Sequence, residues 1–410
     1  MNRWIGRKFL FLYKYSGKWI SRLLNQKRRK KREACRILLF CNSSTMEEHL
    51  LNYVEQVEED GYQFSVFFGS GYADGAEHRL EDTLFRGKKI KPLQHLWQMF
   101  GRYWDLIVCA DLDYPFWLFK GTIPLLYIGH GISNVSYDGG KTVYDYGPES
   151  YDEHGEFLFD KVLEPNRRIA ALMKESDRKF EDLICHTGYR FAGKIKAESE
   201  KGAQYREQFQ LPADRPVVSF FGSWNRESLF HVLGEELFDV CDRLKDQYSF
   251  IFSIHPREYQ EYNPEIKPMG ALVEQQREKG FLVRSPGEDW IPYIMASDVA
   301  VVDYSTMMSL AILAGKKVIV SEFPDEKVGA CSLGYQVKKT FPVVKNAGEL
   351  EAALKQVFEA SAFEQMVERF QEELYVSSEE YKKRVQKVTE EMISGVAFHT
   401  DAVRTPAGSR

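Results

Sequence analysis

From residue 36 onward, the sequence alternates between short runs of apolar residues and stretches with helical periodicity, and this alternation constrains the fold more than any other feature. In the first half, the apolar runs predict strands at 37–40, 64–68, 106–109 and 124–128. Strands that are apolar on both faces are typical of parallel sheets, because helices cover both faces of such sheets. The pattern therefore predicts an α/β protein.

The second half of the chain repeats this rhythm, with apolar runs separated by helical stretches. The predicted strands lie at 217–221, 250–254, 281–283, 299–302 and 318–320. The predicted helices lie at 228–244, 289–296 and 306–314. A doubly wound sheet binds ligands at the carboxyl ends of its strands, so we expect a ligand cleft between two such domains that face one another.

The division into domains follows from the length and from one strand-poor segment. A chain of 410 residues exceeds what a single core usually organises. The charged segment 194–215 separates the two blocks, and we predict an N-terminal α/β domain at 34–200 and a C-terminal α/β domain at 201–345. Further helical stretches in 346–400 are expected to pack back across both domains.

Positive charge is concentrated at the N-terminus. Residues 1–36 carry 13 of the 55 Lys and Arg residues and one of the 60 acidic residues, which gives +12 against −17 for the remainder. Residues 3–24 predict an amphipathic helix, and 27–32 are all basic. The apolar face of that helix consists of Ile5, Phe9, Leu12, Trp19, Ile20 and Leu23.

Several interpretations of this N-terminal segment compete. A signal peptide requires a longer apolar core than the five residues of 9–13. A nucleic-acid-binding arm explains the basic run but not the aromatic face, and the rest of the chain is acidic. A helix that packs on its own domain is also possible. An interfacial helix explains both parts, so we expect residues 1–33 to bind an anionic membrane surface, on the cytoplasmic face of the cell membrane.

Composition narrows the class of protein further. No apolar run approaches the ~18 residues that a spanning helix needs, which excludes a polytopic membrane protein. The six cysteines include no C-x-x-C pair, so a zinc ribbon or a disulfide framework is not expected.

The first candidate site segment is LYIGHGIS at 126–133, which begins in a predicted strand. His130 lies between two glycines, and the ordinary pKa of a histidine lets it accept a proton near neutral pH. Gly131 permits a close approach of a ligand to the backbone. The alternative is a loop histidine whose hydrogen bonds are satisfied by the protein.

The second candidate segment is FIFSIHPR at 250–257, which also leaves a strand. His255, as a cation or through its neutral N–H, can contact a phosphate oxygen, while Pro256 fixes the turn. Arg257 adds a guanidinium suited to anions. A purely structural turn is the alternative.

The third candidate segment is VVDYSTMMS at 301–309, where a buried strand is followed by an acid and then by hydroxyl residues that open a helix. Ser305 and Thr306 can cap that helix, which requires no ligand. The free N–H groups of a helix N-terminus can also bind a phosphate. Asp303 can orient this loop or contact the ligand.

These segments, in this order, resemble those of the CDP-glycerol glycerophosphotransferase family, which includes teichoic acid polymerases and primases with a GT-B fold. The family's His-Gly, His-Pro and Asp-Tyr-Ser-Ser segments are similar to residues 130–131, 255–256 and 303–306. HTGYR at 186–190 and FGSWNR at 221–226 resemble its Gly-x-Pro-Arg and Pro-Thr-Trp-Arg segments. The similarity covers roughly half of the chain.

The resemblance implies a donor, a reaction and roles for particular residues. CDP-glycerol or a related CDP-alditol would donate its alditol phosphate to a hydroxyl of a lipid-linked or polymeric acceptor, with release of CMP. His130 would be the base, and His255 would stabilise charge on the departing CMP. The remaining donor-binding candidates are Ser305, Thr306, Asp303, Arg257, Arg226 and Gly131. Neither a metal nor a tightly bound cofactor is implied, and no nucleic acid partner is expected.

Three other functions remain open from the residues. The sequence departs from the family, with GHGISN at 129–134 where Trp-His-Gly-Thr-Pro-Leu-Lys is usual. A GT-B glycosyltransferase that uses a CMP-activated or other nucleotide-activated sugar is therefore an alternative. A membrane-tethered scaffold without catalytic activity and a nucleic-acid-binding protein are alternatives of other classes.

Overall fold

The computed structural model describes two large parallel sheets and the helices that cover them. The described residues are 34–41, 44–68, 90–93, 99, 103–112, 116, 119–129, 136–138, 141–143, 150–152, 154–176, 178–261, 263–325, 328 and 332–398. The predicted N-terminal helix and the basic run that follows it lie outside these residues.

The first sheet consists of seven parallel strands in the order β3-β2-β1-β4-β5-β8-β9, and β6 and β7 form a separate antiparallel pair. The strands are β1 (Arg36–Cys41), β2 (Gln63–Phe68), β3 (Ile90–Leu93), β4 (Leu106–Cys109), β5 (Leu125–Tyr127), β6 (Ser136–Asp138), β7 (Lys141–Val143), β8 (Lys161–Glu164) and β9 (Ile184–His186). Every residue of β4 and β5 is buried, as expected for strands that are covered on both faces.

The second sheet consists of six parallel strands in the order β12-β11-β10-β13-β14-β15. The strands are β10 (Val217–Gly222), β11 (Ser249–Ile254), β12 (Leu282–Val283), β13 (Val299–Val302), β14 (Lys317–Ser321) and β15 (Val343–Val344). The strand order reverses between β10 and β13, so the ligand crevice of a doubly wound sheet is expected outside the carboxyl ends of these two strands.

Helices lie between most strands of the second sheet, whereas in the described part of the first half only one helix follows β1 and one follows β8. They are α1 (Ser44–Val57), α2 (Arg167–Ser176), α3 (Ala192–Glu198), α4 (Gly202–Gln208), α5 (Leu229–Leu233), α6 (Glu236–Leu244), α7 (Gly270–Glu278), α8 (Ile291–Ala296), α9 (Thr306–Leu313), α10 (Leu333–Thr340), α11 (Leu350–Glu359), α12 (Ala362–Leu374) and α13 (Ser378–Phe398). None of the helices in the described residues is both long enough and apolar enough to cross a bilayer.

The last helix packs against the first half of the chain. Tyr381, Val385 and Val388 of α13 belong to the buried cluster that contains β1 and α1. The hydroxyls of Tyr53 and Thr389 lie 3.0 Å apart within this contact. The two preceding helices, α11 and α12, instead contribute to the core of the second sheet. The domain boundaries given above remain predictions.

The α/β prediction with two doubly wound parallel sheets is confirmed, and one helix prediction needs correction. The stretch 228–244 forms two helices, α5 and α6, rather than one. Gly234 separates them with φ +65 and ψ −170, a conformation that is open to glycine because it has no Cβ. Six strands were not predicted from the sequence, and all of them are short or carry charged residues: β3, β6, β7, β8, β9 and β15.

Candidate active site

The candidate site lies where three neighbouring strands of the second sheet end. The parallel register pairs Gly222 of β10 with Ile254 of β11, and Phe221 with Val302 of β13. The residues that follow these strands, namely Ser223, His255 and Asp303, are therefore placed side by side at one edge of the sheet. The register brings together two segments that the sequence analysis selected separately.

Asp303 is fully buried and forms hydrogen bonds to the segments that follow β10 and β13. Its Oδ2 accepts hydrogen bonds from the backbone N–H of Ser223 at 2.6 Å, from the Ser223 hydroxyl at 2.8 Å and from the N–H of Leu229 at 3.1 Å. Its Oδ1 accepts the N–H of Ser305 at 3.0 Å. Asp303 therefore fixes the loops after β10 and β13 relative to each other, and in this structure it is a positioning residue.

Ser305 is the N-cap residue of α9, and its side chain makes no capping bond. Its hydroxyl oxygen is buried and has no hydrogen-bond partner among the described residues. Thr306, which is half-buried, opens the helix. The start of α9 thus offers free N–H groups and a hydroxyl that can turn to a new partner by rotation about χ1.

His255 caps the short 3₁₀ helix Pro256–Tyr259. Its Nδ1 accepts the backbone N–H of Arg257 at 3.1 Å. Burial lowers the pKa of His255 to about 4, and the Arg257 guanidinium acts in the same direction while Asp303 opposes it. The ring is therefore neutral at pH 7, and because Nδ1 is an acceptor, its proton is on Nε2. Nε2 can donate to an anionic oxygen.

Arg257 is exposed beside this histidine and stacks on an aromatic ring. Its Cζ lies 4.3 Å from the centroid of the Trp224 ring, and the rings of Trp224 and His255 lie 6.3 Å apart. Arg257 forms no ion pair within the described part of the chain. Its guanidinium is therefore available to an anion at the same edge.

A second buried carboxylate supports the loop that carries Trp224. Glu258 accepts hydrogen bonds from His231 Nε2 at 3.0 Å, from the Met269 N–H at 2.9 Å and from the Asn225 N–H at 3.3 Å. Asn225 has φ +96, which is unusual for a residue other than glycine. The loop after β10 is thus held in a specific conformation.

Arg226, a predicted donor-binding residue, points elsewhere in this structure. Its Nη2 lies 3.2 Å from Glu265 Oε2, in an ion pair whose two side chains are both exposed. The described contacts of Arg226 do not include His255 or Ser305.

Arg284, which follows β12 directly, was not among the site residues predicted from the sequence. Its Nε donates to Ser253 Oγ and its Nη1 to the Glu288 carbonyl, both at 2.7 Å. Burial lowers the pKa of Arg284, and the charges of nearby groups, including Glu288, oppose this effect. The one signal in the sequence was its position immediately after a predicted strand.

On the side of the first sheet, His130 and Gly131 lie outside the described residues. The backbone that leads to them is held by Arg190, whose Nη1 donates to the Gly129 carbonyl at 2.9 Å and whose Nη2 donates to the Ile128 carbonyl. Arg190 belongs to the HTGYR segment, but nothing in the sequence indicates this contact.

The arrangement after β10, β11 and β13 is suited to an anion that carries several oxygens. It combines a neutral imidazole N–H, an exposed guanidinium, a hydroxyl without a partner and the N-terminus of an eight-residue helix. The described residues contain no group of three or more His, Cys, Asp or Glu side chains that could hold a metal ion.

Comparison with known proteins supports the fold. No protein-family model and no curated protein matches the chain. A structure of the wall teichoic acid polymerase TagF soaked with CDPG matches 95% of each chain, with a TM-score of 0.61 and 14% identity. A UDP-bound structure of S. aureus MnaA covers 92% of this chain and 100% of its own, with a TM-score of 0.55 and 13% identity.

A third match is a glycosyltransferase of Rickettsia africae. It covers 88% of this chain and 99% of its own, with a TM-score of 0.51 and 11% identity. At these identities the likeness establishes the fold alone. The chain has a GT-B-like α/β fold, as the resemblance implied.

Proposed function

We propose that this protein is a transferase that moves glycerol phosphate, or a related alditol phosphate, from a CDP-linked donor to a hydroxyl of a lipid-linked or polymeric acceptor. One observation carries the proposal. The hydroxyl of Ser305 has no partner at the start of α9, at the same sheet edge where His255 presents its Nε2–H. The match to TagF, whose structure was soaked with CDPG, supports the choice of donor.

In the proposed complex, the diphosphate of the donor binds between His255 and the N-terminus of α9. The Nε2–H of His255 and the hydroxyls of Ser305 and Thr306 donate to phosphate oxygens, and Arg257 adds positive charge. Donors that are held in place before the reaction stabilise the charge that develops on the leaving group. Asp303 acts through Ser223 and Ser305 and does not itself contact the donor.

The acceptor hydroxyl attacks the β-phosphorus on the side of the first sheet. A bond forms between the acceptor oxygen and phosphorus, and the bond from phosphorus to the bridging oxygen breaks, so that CMP leaves. His130 accepts the hydroxyl proton. A positioned general base typically contributes ~10²–10⁴-fold to the rate.

The test is CMP release by the purified protein from CDP-glycerol in the presence of a lipid-linked acceptor. We expect His130→Ala to lower the rate by ~10²–10⁴-fold, and His255→Ala to lower it by ~10²-fold, which is typical for removal of one charge-stabilising donor. His154→Ala, in an exposed turn, is the matched control. Robust transfer by both site variants would contradict these roles.

The same assay separates the alternative activities. Turnover of a CMP-activated or UDP-activated sugar, without turnover of CDP-glycerol, would assign the protein to sugar transfer instead. A protein that binds no cytidine nucleotide would fit a non-catalytic scaffold better.

We further propose that residues 1–33 hold the enzyme on the anionic cytoplasmic face of the cell membrane, where a lipid-linked acceptor is available. About 1 kcal/mol per basic residue near an anionic surface would favour binding. A protein that begins at Arg36 should no longer sediment with anionic liposomes, whereas the full chain should. Equal sedimentation of the two proteins would contradict membrane attachment through this segment.

A further inference from the structure

One cation beside the candidate site has only neutral partners. Arg284 is half-buried, and its two side-chain hydrogen bonds go to the Ser253 hydroxyl and to the Glu288 carbonyl. Within the described residues it forms no ion pair. The negative charges of Glu288 and Asp289 are near, but no hydrogen bond joins either carboxylate to the guanidinium. A half-buried guanidinium that no carboxylate bonds directly is incompletely compensated, and the donors it does not use can serve a ligand.

Several donors of this guanidinium remain unused. A guanidinium carries five N–H donors in a rigid, planar fork. The bonds from Nε and Nη1 each use one donor, and Nη2 makes no hydrogen bond to the described protein. The remaining N–H groups of Nη1 and Nη2 are therefore available to a ligand that has two adjacent hydrogen-bond acceptors.

The sheet order places Arg284 at a definite point along a bound nucleotide. The strands run β13, β10, β11, β12 from the helix start at Ser305, past His255, to Arg284. With neighbouring strands ~4.8 Å apart, this path spans about 14 Å, the scale of an extended nucleoside diphosphate. A donor whose diphosphate lies at Ser305 and His255 can thus direct its base towards Arg284.

We propose that Arg284 reads the base of the donor and selects cytosine over uracil. This inference rests on the proposed function. Cytosine presents two adjacent acceptors, N3 and the O2 carbonyl, which match two parallel N–H groups of a guanidinium. Uracil presents an N–H donor at position 3, which opposes one of them. Arg284 lies beyond His255 as seen from the helix start, so the base rather than the diphosphate is its partner.

The experiment is isothermal titration calorimetry of CDP and UDP with the full chain. We expect the wild type to bind CDP about 5- to 150-fold more tightly than UDP, the range for one bidentate base contact. Arg284→Gln should bring this ratio close to one. Arg284→Lys keeps the positive charge but lacks the planar pair of N–H donors, so its preference for CDP over UDP should also be largely lost.

Arg277→Gln is the matched control. Arg277 lies in the same region but bonds to Glu274 and to Ser285, and it is exposed. This variant should keep the wild-type ratio. Because an unfolded fraction reduces the apparent binding of both nucleotides equally, the ratio remains informative if Arg284→Gln is less stable.

The outcomes separate the two proposals. If the wild type releases CMP from CDP-glycerol but Arg284→Gln keeps the CDP preference, the role of Arg284 is wrong and the proposed function stands. Equal binding of CDP and UDP by the wild type also overturns the role of Arg284. If the wild type binds neither nucleotide, the proposed function is wrong, and the base-reading role fails with it.

Discussion

Ser223 donates two hydrogen bonds to a single carboxylate oxygen of Asp303, one from its backbone N–H at 2.6 Å and one from its hydroxyl at 2.8 Å. The two residues are 80 positions apart in the chain, and each follows a strand at the point where the order of the sheet reverses. The contact joins the two loops around the candidate diphosphate site to each other through protein groups alone. Such preorganisation is what charge stabilisation in catalysis requires.

Replacement of Asp303 by asparagine should destabilise the protein by about 3 kcal/mol. The carboxylate is fully buried and accepts four hydrogen bonds, and an asparagine NH₂ group would face donors. Urea unfolding measures the change. Asp289→Asn is the control, because Asp289 forms a half-exposed ion pair with Lys194 that should contribute less than about 1 kcal/mol. Equal stability of the two variants would contradict the role given to Asp303.

Ser305→Ala should separate binding from stability. The Ser305 hydroxyl makes no bond in the described protein, so its removal should change the free energy of unfolding by less than about 0.5 kcal/mol. If the hydroxyl binds a charged phosphate oxygen, the affinity for CDP should fall by about 10- to 100-fold.

Ser309 provides a matched control for this experiment. Its hydroxyl is also buried without a partner, one turn further into α9. Ser309→Ala should leave CDP affinity unchanged. Equal loss of affinity in both variants would indicate a general effect on the helix rather than a phosphate contact at Ser305.

The stability of the protein should decrease between pH 6.5 and pH 4. Burial lowers the pKa of His186 to about 4, with Arg384, whose Nη1 lies 3.0 Å from His186 Nδ1, acting in the same direction. In the unfolded chain His186 therefore becomes protonated below about pH 6.5, whereas in the native protein it becomes protonated only near pH 4. The unfolded state is favoured between these two pH values. Each such histidine contributes a slope of at most about 1.4 kcal/mol per pH unit.

Unfolding experiments across this pH range test the assignment. His186→Gln should show a shallower loss of stability between pH 6.5 and 4 than the wild type, and the two slopes should agree above pH 7. His255, whose pKa burial also lowers to about 4, should contribute in the same direction. A slope that does not respond to His186→Gln would contradict a buried, neutral histidine at this position.

The sequence predicted those parts of the fold that depend on local pattern. Apolar runs such as 217–221 and 250–254 coincide with β10 and β11, because a strand buried on both faces must be apolar throughout. β3 was not predicted because Lys91 and Pro92 interrupt its run of apolar residues. A parallel edge strand has a neighbour on one side only, so it tolerates residues that a central strand does not.

Site residues that directly follow an apolar strand could be predicted from the sequence. Contacts that depend on which strands are neighbours in the sheet could not. His255, Asp303 and Ser305 could be selected because each follows an apolar run. The contacts of Arg284 with Ser253 and of Asp303 with Ser223 join residues from different strands. These residues lie close together only because their strands are neighbours in the sheet. The order of strands in a sheet cannot be read from the pattern of a single sequence.

Replacement of Arg190 should lower the rate of the reaction without changing the affinity for the donor nucleotide. It donates hydrogen bonds to the carbonyls of Ile128 and Gly129, and His130 is the next residue in the chain. Under the proposed function, loss of this support should misplace the base, and an error of about 1 Å can cost ~10²-fold in rate. Arg190→Gln should therefore lower kcat strongly and leave the affinity for CDP unchanged.

Hydrogen exchange of the peptide that contains residues 125–129 gives a readout that does not depend on activity. Arg190→Gln should accelerate exchange there, because the two carbonyls lose the guanidinium that fixes them. Lys194→Gln is the control, since Lys194 is near in sequence but pairs with Asp289 in a half-exposed contact. If Arg190→Gln exchanges and turns over like Lys194→Gln, Arg190 does not position the segment before His130. If exchange accelerates while kcat is unchanged, the segment is held by Arg190 but the base lies elsewhere.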